Sequence, residues 1–329
     1  MINKILIYNS GGGLGDSIQL FPLILSLKNH FNKAEFFYLG AHDNHYENQL
    51  RDYNIKIKTL DLGLKYFGFR WWHLLKVKKQ LLKKNIDKFD LIIDLQTKLR
   101  NSLILKMIST KYFYSATYKF SLCSIKNKYY NKKNISEMTL FNLEKFFNNK
   151  INRVNYNLNN IKKEFYDEAK KLLPNNNYIG FSITQGNEYR KKSWPLKNFI
   201  DLAKKILIIK KTPVFFLEKS NIEVANKIKS EIPEAIIPEH KSNFSSPALV
   251  TALSSRLEGA ISIDNGVMHM IALSNVPIVV LFGPTNSEKF APSYKDSIIL
   301  DSKKVYNTEN ISAITVEDVL LAAKQFLNF

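Results

Sequence analysis

The sequence contains a single cysteine, Cys123, among 329 residues. That excludes an intrachain disulfide, and with it the disulfide-stapled scaffolds of small secreted domains, and it fits a reducing cytoplasm. Long apolar runs are also missing. The opening run Ile5, Leu6, Ile7, Tyr8 gives way to Gly11-Gly12-Gly13, too short for a signal peptide, and nothing reaches the roughly 18 to 20 apolar residues of a membrane span. The expectation is a cytoplasmic protein that meets a membrane, if at all, from the cytoplasmic face of the inner membrane. Acidic residues are scarce: 29 Asp and Glu stand against 48 Lys and Arg, a net charge of +19. Such a surplus fits a polyanionic partner, namely nucleic acid, anionic lipid or a phosphorylated saccharide. It equally fits a compositional bias spread over the surface, as in the tract Lys126 to Asn134. Neither paired metal ligands nor an aromatic RNA-binding strand accompanies the charge, so nucleic acid is not expected as a partner.

What the chain does contain is enough apolar residue, 45%, for a sizeable core, and length enough for two domains. Short runs rich in β-branched and aromatic residues alternate with longer amphipathic stretches, the pattern of βαβ units on a parallel sheet. The alternation occurs twice. Strands are predicted at Lys4 to Asn9, Ala34 to Leu39, Ile55 to Leu60, Phe89 to Leu95 and Tyr112 to Ala116, and again at Tyr178 to Ile183, Pro213 to Leu217, Ala235 to Ile237, Gly259 to Ile263 and Pro277 to Phe282. Residues 148–160 are Asn-rich and polar, and a helix over Ile161 to Leu173 opens the second half. The expected fold is α/β, two doubly wound Rossmann-like domains, 1–155 and 156–329, facing a central cleft. The apolar spacing of Val316, Val319, Leu320, Ala323, Phe326 and Leu327 predicts a final amphipathic helix, expected to pack back on the first domain.

Three segments carry chemistry. After the first strand comes Gly11-Gly12-Gly13-Leu14-Gly15-Asp16. A dinucleotide fingerprint needs glycines at its first, third and sixth positions, and counted from Gly11 the sixth is Asp16. A carboxylate at a helix start would also repel a pyrophosphate, and the Gly-Lys-Ser/Thr ending of a P-loop is lacking. The glycines allow another molecule close to the backbone, with one carboxylate at the start of a helix. That suits a general base; it equally suits a helix cap.

The second segment, Thr184-Gln185-Gly186-Asn187-Glu188-Tyr189-Arg190-Lys191-Lys192-Ser193-Trp194-Pro195, places three successive cations at the carboxyl end of a strand. They can neutralise a diphosphate leaving group, or form a solvated face. The third is Asp264-Asn265-Gly266-Val267-Met268-His269 between two buried strands, followed by Gly283-Pro284-Thr285. Free amides at a helix start reached closely at Gly266 make an anion site, although strand, turn, helix, strand is also generic βαβ architecture and His269 fits an ordinary core histidine.

Taken together these segments resemble glycosyltransferase family 9, which includes the lipopolysaccharide heptosyltransferases. The resemblance rests on Gly15-Asp16 with Pro22 in the helix that follows, on Asp94-Leu95-Gln96 with Arg100, on Lys192-Ser193-Trp194-Pro195, and on Asp264-Asn265-Gly266-Val267-Met268-His269 with Pro277 and Gly283-Pro284-Thr285, in order from residue 11 to 285. It implies an inverting, metal-independent enzyme without a cofactor. Such an enzyme moves a heptose or related sugar from a nucleotide-sugar, ADP-heptose foremost, to an anionic lipopolysaccharide-core or lipid-linked acceptor. Asp16 is then the base and Lys192 the group on the leaving diphosphate. Thr184, Lys192, Glu223, Asp264, Asn265, Gly266, Val267 and His269 form the donor pocket, and Gly13, Gly15 and Arg100 line the acceptor side. The family's usual Ser or Thr is Asn265 here, which still offers a hydrogen bond.

Two further features stand apart. His42-Asp43-Asn44-His45 holds histidines but no further acids at ligand spacing, and reads as plain surface. Phe69-Arg70-Trp71-Trp72-His73, followed by Lys76, Lys78, Lys79, Lys83 and Lys84, reads either as an ordinary amphipathic helix or as one that rests on anionic lipid. The competing functional readings are a dinucleotide-dependent oxidoreductase, against which Asp16 stands, and a non-catalytic nucleotide-sugar-binding protein.

Overall fold

The structure is a computed structural model and describes all residues except 1, 41–43, 132–133, 187, 293–295 and 326–329, with Glu188 described by its backbone alone. The chain divides into two compact units, Met1–Asn157 and Leu158–Phe329. Each is an α/β unit on a five-stranded, all-parallel sheet.

The first sheet comprises β1 (Lys4–Asn9), β2 (Glu35–Gly40), β3 (Lys58–Thr59), β4 (Phe89–Asp94) and β5 (Thr110–Ser115), in the order β3-β2-β1-β4-β5. The second comprises β6 (Tyr178–Ser182), β7 (Thr212–Phe216), β8 (Leu257–Ile263), β9 (Ile278–Phe282) and β10 (Ser297–Asp301), in the order β10-β9-β8-β6-β7. Strands β6 and β9 are buried at every position, as helices on both faces of a parallel sheet require. In each sheet the chain leaves a central strand to one side and later returns on the other. These switch points lie between β1 and β4 and between β6 and β8, the positions at which doubly wound sheets bind ligands beyond the carboxyl ends of their strands.

Several expectations are corrected by local chemistry. The apolar stretch after the glycine loop is two helices, Leu14–Ile18 and Phe21–His30, with Pro22 in the first turn of the second. A proline has no N–H and crowds the carbonyl four residues back, so it starts a helix more readily than it sits inside one. The strand expected over Ala235 to Ile237 is reduced to one bridge, Ile236 to Val214, since Pro233 precedes it and Pro238 opens the helix Pro238–Lys241. Edge strand β3 has two residues where six were expected. Strand β10, on the opposite edge of the second sheet, was not foreseen. The last helix, Val316–Ala323, places Val319, Ala322 and Ala323 in the second unit's core, against helix Leu196–Ile208 and strands β8 and β9. Its apolar face is thus engaged in the core of its own unit; Phe326 and Leu327 lie outside the described residues.

Candidate functional site

Both chemical clusters lie at switch points. In the first unit the loops after β1 and β4 are joined through Asn9, whose Oδ1 accepts from Gln96 Nε2 at 2.9 Å and from the Gly11 amide at 3.0 Å. Asp94 is fully buried. It accepts from the Gln96 amide at 3.0 Å, from Ser115 Oγ at 2.7 Å and from Ser102 Oγ at 2.5 Å, and burial pushes its pKa up to about 6. In the Asp-x-Gln segment, therefore, Asp94 is a buried anchor and Gln96 the tie between the two loops.

Asp16 sits in the first turn of helix Leu14–Ile18, partly exposed, with Oδ2 accepting from the Gly13 amide at 3.2 Å. The glycines are required by crowding around this carboxylate. A Cβ on Gly11 would stand 3.0 Å from Asp16 Cβ and 3.1 Å from its Cγ, and one on Gly13 3.3 Å from Oδ2. The loop has a support that the sequence did not reveal: His45 Nε2 donates to the Gly12 carbonyl at 3.1 Å, while its Nδ1 lies 2.8 Å from Gln49 Oε1. The expectation that His45 is plain surface is thus replaced by a contact with the loop that carries Asp16. No sequence motif links the two, for they are 33 residues apart. His42 and Asp43 lie outside the described residues.

Arg100, in helix Leu99–Leu105 after β4, donates from Nε to the Gly68 carbonyl at 2.9 Å. Gly68 has φ +85°, and a Cβ there would lie 2.5 Å from the Tyr8 hydroxyl; that hydroxyl donates to the Phe67 carbonyl at 2.9 Å. The guanidinium is therefore tied to the loop around Gly68 at the carboxyl end of the sheet.

In the second unit the loop after β6 turns on Lys191, whose φ of +46° is left-handed. Arg190 before this turn and Lys191 at it are exposed, while Lys192 after it is half-buried. Of the three cations, this one alone meets the expected donor cluster among the described contacts. The Lys192 amide donates to Gln185 Oε1 at 2.8 Å; its ammonium is ion-paired with Asp264 Oδ2 and lies 3.3 Å from the Asp264 carbonyl. The pair is nearly enclosed, with 12% of the lysine side chain and 7% of the aspartate exposed. An ammonium has three donors, and two are aimed at Asp264.

Trp194 and Pro195 of the same segment are structural. Trp194 is buried and donates from Nε1 to the Ile314 carbonyl at 2.8 Å, and Pro195 caps helix Leu196–Ile208. They anchor the strand-to-helix turn that presents Lys192.

After β8, Asn265 caps helix Gly266–Leu273: its Oδ1 accepts from the Met268 amide at 2.8 Å. Its Nδ2 donates to Ser182 Oγ at 2.7 Å and to the Thr184 carbonyl at 2.8 Å. The hydrogen bond that the sequence left open to a ligand is thus made within the protein, where it ties the loops after β6 and β8 together. Gly266 and Val267 open the helix and are half-buried residues; the first amides of a helix have no partner within it, which is the basis of anion binding at a helix N-terminus. His269 is buried at 7% exposure. Glu223 stands exposed in the first turn of helix Ile222–Glu231, after β7. Another carboxylate, not singled out in the sequence, lies at the end of β7: Glu239 accepts from the Leu217 amide at 2.8 Å, and desolvation raises its pKa to about 8.

The two sheets and their order define an α/β fold of the GT-B class, that of glycosyltransferases and related nucleotide-sugar enzymes. The family model of glycosyltransferase family 9 (heptosyltransferase) matches residues 74–319, and the chain belongs to this family and is a glycosyltransferase. The match includes the Lys192 and Asp264 segments and begins after the glycine loop. Among solved structures, the chain is similar to the family 9 glycosyltransferase from Veillonella parvula DSM 2008, at 21% identity and TM-score 0.70 with 98% of this chain and 97% of that one covered. It is similar to E. coli heptosyltransferase WaaC with ADP, at 15% identity and TM-score 0.68 with 98% and 97% covered. The UDP-GlcNAc 2-epimerase from Methanocaldococcus jannaschii shares the fold at 14% identity and TM-score 0.57, with 100% and 93% covered. No curated protein matches the sequence.

Proposed function

We propose that this glycosyltransferase moves a heptose or closely related sugar from a nucleotide diphosphate donor, ADP-heptose foremost, to an anionic saccharide of the lipopolysaccharide-core type, with inversion at the anomeric carbon. The observation that carries the donor half is the enclosed Lys192–Asp264 pair beside the start of helix Gly266–Leu273 at the β6/β8 switch point. Besides belonging to the family, the chain shares its fold with WaaC, which has been solved with ADP and with ADP-2-deoxy-2-fluoro heptose. In this reading the diphosphate lies on the first amides of that helix and takes the third N–H of Lys192, with Asp264 holding the ammonium in place. Thr184, Asn265 and His269 shape the pocket and Glu223 meets the ribose.

Asp16 supplies the chemistry on the acceptor side, flanked by Gly13 and Gly15, while Arg100 meets acceptor anions. The acceptor hydroxyl attacks the anomeric carbon opposite the diphosphate. Its proton passes to the Asp16 carboxylate. The bond from the anomeric carbon to the diphosphate oxygen breaks, and the electron pair leaves with the nucleotide, where Lys192 and the helix amides meet the developing charge. A lipid-linked acceptor has the enzyme working at the cytoplasmic face of a membrane.

The experiment is thermal denaturation with ADP-, UDP-, GDP- and CMP-sugars and with NAD, since a ligand that binds only the folded state raises the midpoint. A rise selective for an ADP-sugar is expected; at a hundredfold excess over Kd it corresponds to about 2.7 kcal/mol. A rise with NAD alone, or with none of them, contradicts the donor assignment.

A further inference from the structure

Between Asp61 and Asp87 the chain carries no acid and seven cations: Lys65, Arg70, Lys76, Lys78, Lys79, Lys83 and Lys84. This stretch contains helix His73–Lys83 of the first unit. The helix turns Val77 into the core, with Leu74 and Leu81 packed beside it. The opposite face carries Leu75 at 83% and Leu82 at 79% exposure. Trp71 and Trp72, each 54% exposed, precede the helix, and the turn bonds from the Leu74 and Leu75 amides to their carbonyls continue its first turn. At helical spacing, Trp71, Leu75 and Leu82 fall on one stripe, with Lys78 on one flank and Lys79, Lys83 and Lys76 on the other. Single exposed apolar residues are ordinary on a protein surface. A stripe of indole and leucine bordered by lysines is the composition of a helix that lies in a membrane interface.

We propose that this face docks on the surface of an anionic phospholipid bilayer, with the Trp71–Trp72 corner and Leu75 and Leu82 entering the headgroup boundary and the flanking lysines meeting lipid phosphates. Charge selects the partner. A stretch this basic is complementary to a negative leaflet, where each lysine near the surface strengthens partitioning about fivefold. A single-stranded nucleic acid also answers the charge and can stack on indoles, but it offers nothing to two exposed leucines, which need an apolar phase. Two tryptophans at the end of the stripe suit the boundary, where an amphipathic ring has one side apolar and the other wet. Lys84 is held by Asp61 and takes no part. The face adjoins the acceptor side, because the Gly68 carbonyl that takes Arg100 Nε lies three residues before Trp71. Docking here brings lipid-linked material to that loop. Binding to lipid nonetheless requires neither the donor nor the base, so this inference and the proposed transfer reaction fail independently.

The test is co-sedimentation of the full chain with vesicles of neutral phosphatidylcholine and with vesicles carrying 30 mol% phosphatidylglycerol, alongside tryptophan emission. The chain has three tryptophans, and the third, Trp194, is buried in the second unit, so a blue shift on adding vesicles reports on Trp71 and Trp72. Binding to the anionic vesicles with a blue shift is expected, and little binding to the neutral ones. Trp71→Ala with Trp72→Ala weakens partitioning at least tenfold while the melting temperature stays within a few degrees, and the combined Lys76→Glu, Lys78→Glu, Lys79→Glu and Lys83→Glu variant abolishes it. Absence of binding to anionic vesicles overturns the proposal. So does binding that both variants retain, since another face is then responsible, and so does binding without a blue shift that a short single-stranded oligonucleotide displaces completely, which marks a nonspecific polycation.

Discussion

The residue that most separates structure from motif is Lys192. Its neighbours Arg190 and Lys191 are equally basic in the sequence, and only the structure, with its left-handed turn at Lys191, separates those two exposed cations from the half-buried Lys192. The pair it makes with Asp264 is enclosed, so removing one partner leaves a charge with little water around it. Lys192→Ala is expected to destabilise the protein by about 3 kcal/mol as well as slow transfer, and adding Asp264→Asn to recover part of that stability. Urea unfolding of the single and double variants measures the coupling; additive losses contradict it. Asp94 gives a pH signature. Its pKa is raised from 3.8 to about 6 in the folded protein, so folding favours the protonated form. Stability from this group is complete below pH 3.8 and is lost as pH rises through 6, a difference on the order of 3 kcal/mol. Relative to wild type, Asp94→Asn therefore gains stability between pH 4 and pH 7. A difference in unfolding free energy that does not change over that range contradicts the assignment. His45 reads as plain surface in the sequence, because a hydrogen bond to a backbone carbonyl leaves no residue-type signature. His45→Ala is expected to lower kcat by about tenfold with the donor Kd unchanged, by loosening the loop that holds Asp16; an unchanged kcat removes His45 from that role.

Elements were legible where burial is two-sided. Strands β1, β4, β6, β7, β8 and β9 are near-continuous apolar runs and their predicted bounds agree with the structure within two residues. Two of the edge strands were not: β10 is a half-buried Ser297–Asp301 that pairs with β9 alone, and β3 shrinks to Lys58–Thr59, whereas the edge strand β7 is buried along most of its length and was read from its apolar run. The glycine-rich loop was legible as a turn, whereas the reason for its glycines, the space taken by the Asp16 side chain, appears only in three dimensions. Gly68 carried no signal at all. Its φ of +85° and the nearby Tyr8 hydroxyl predict that Gly68→Ala costs about 2 kcal/mol or more, through left-handed strain and a clash with a buried ring, with weaker acceptor binding if Arg100 loses its tether. Denaturant midpoints test the first part, and a Gly68→Ala protein as stable as wild type refutes it.

At the scale of the whole molecule, the doubly wound pattern repeated twice in the sequence becomes two five-stranded parallel sheets, and the family match fixes the enzyme class. The net charge of +19 was ambiguous as a sum. Resolved along the chain, it includes a stretch of 25 residues, 62–86, without one acid, while Lys192 lies enclosed beside Asp264. Among the described residues no helix is long and apolar enough to cross a membrane.

In the proposed reaction one unit holds the donor and the other supplies the base. The measurement that tests it most directly is a comparison of ADP-heptose binding by calorimetry with single-turnover release of ADP, for wild type and Asp16→Asn. Loss of the base alone predicts an unchanged Kd and a transfer rate reduced a hundredfold to ten-thousandfold. A variant that binds the donor and turns over as wild type does, or a wild type that does not bind it, contradicts the account.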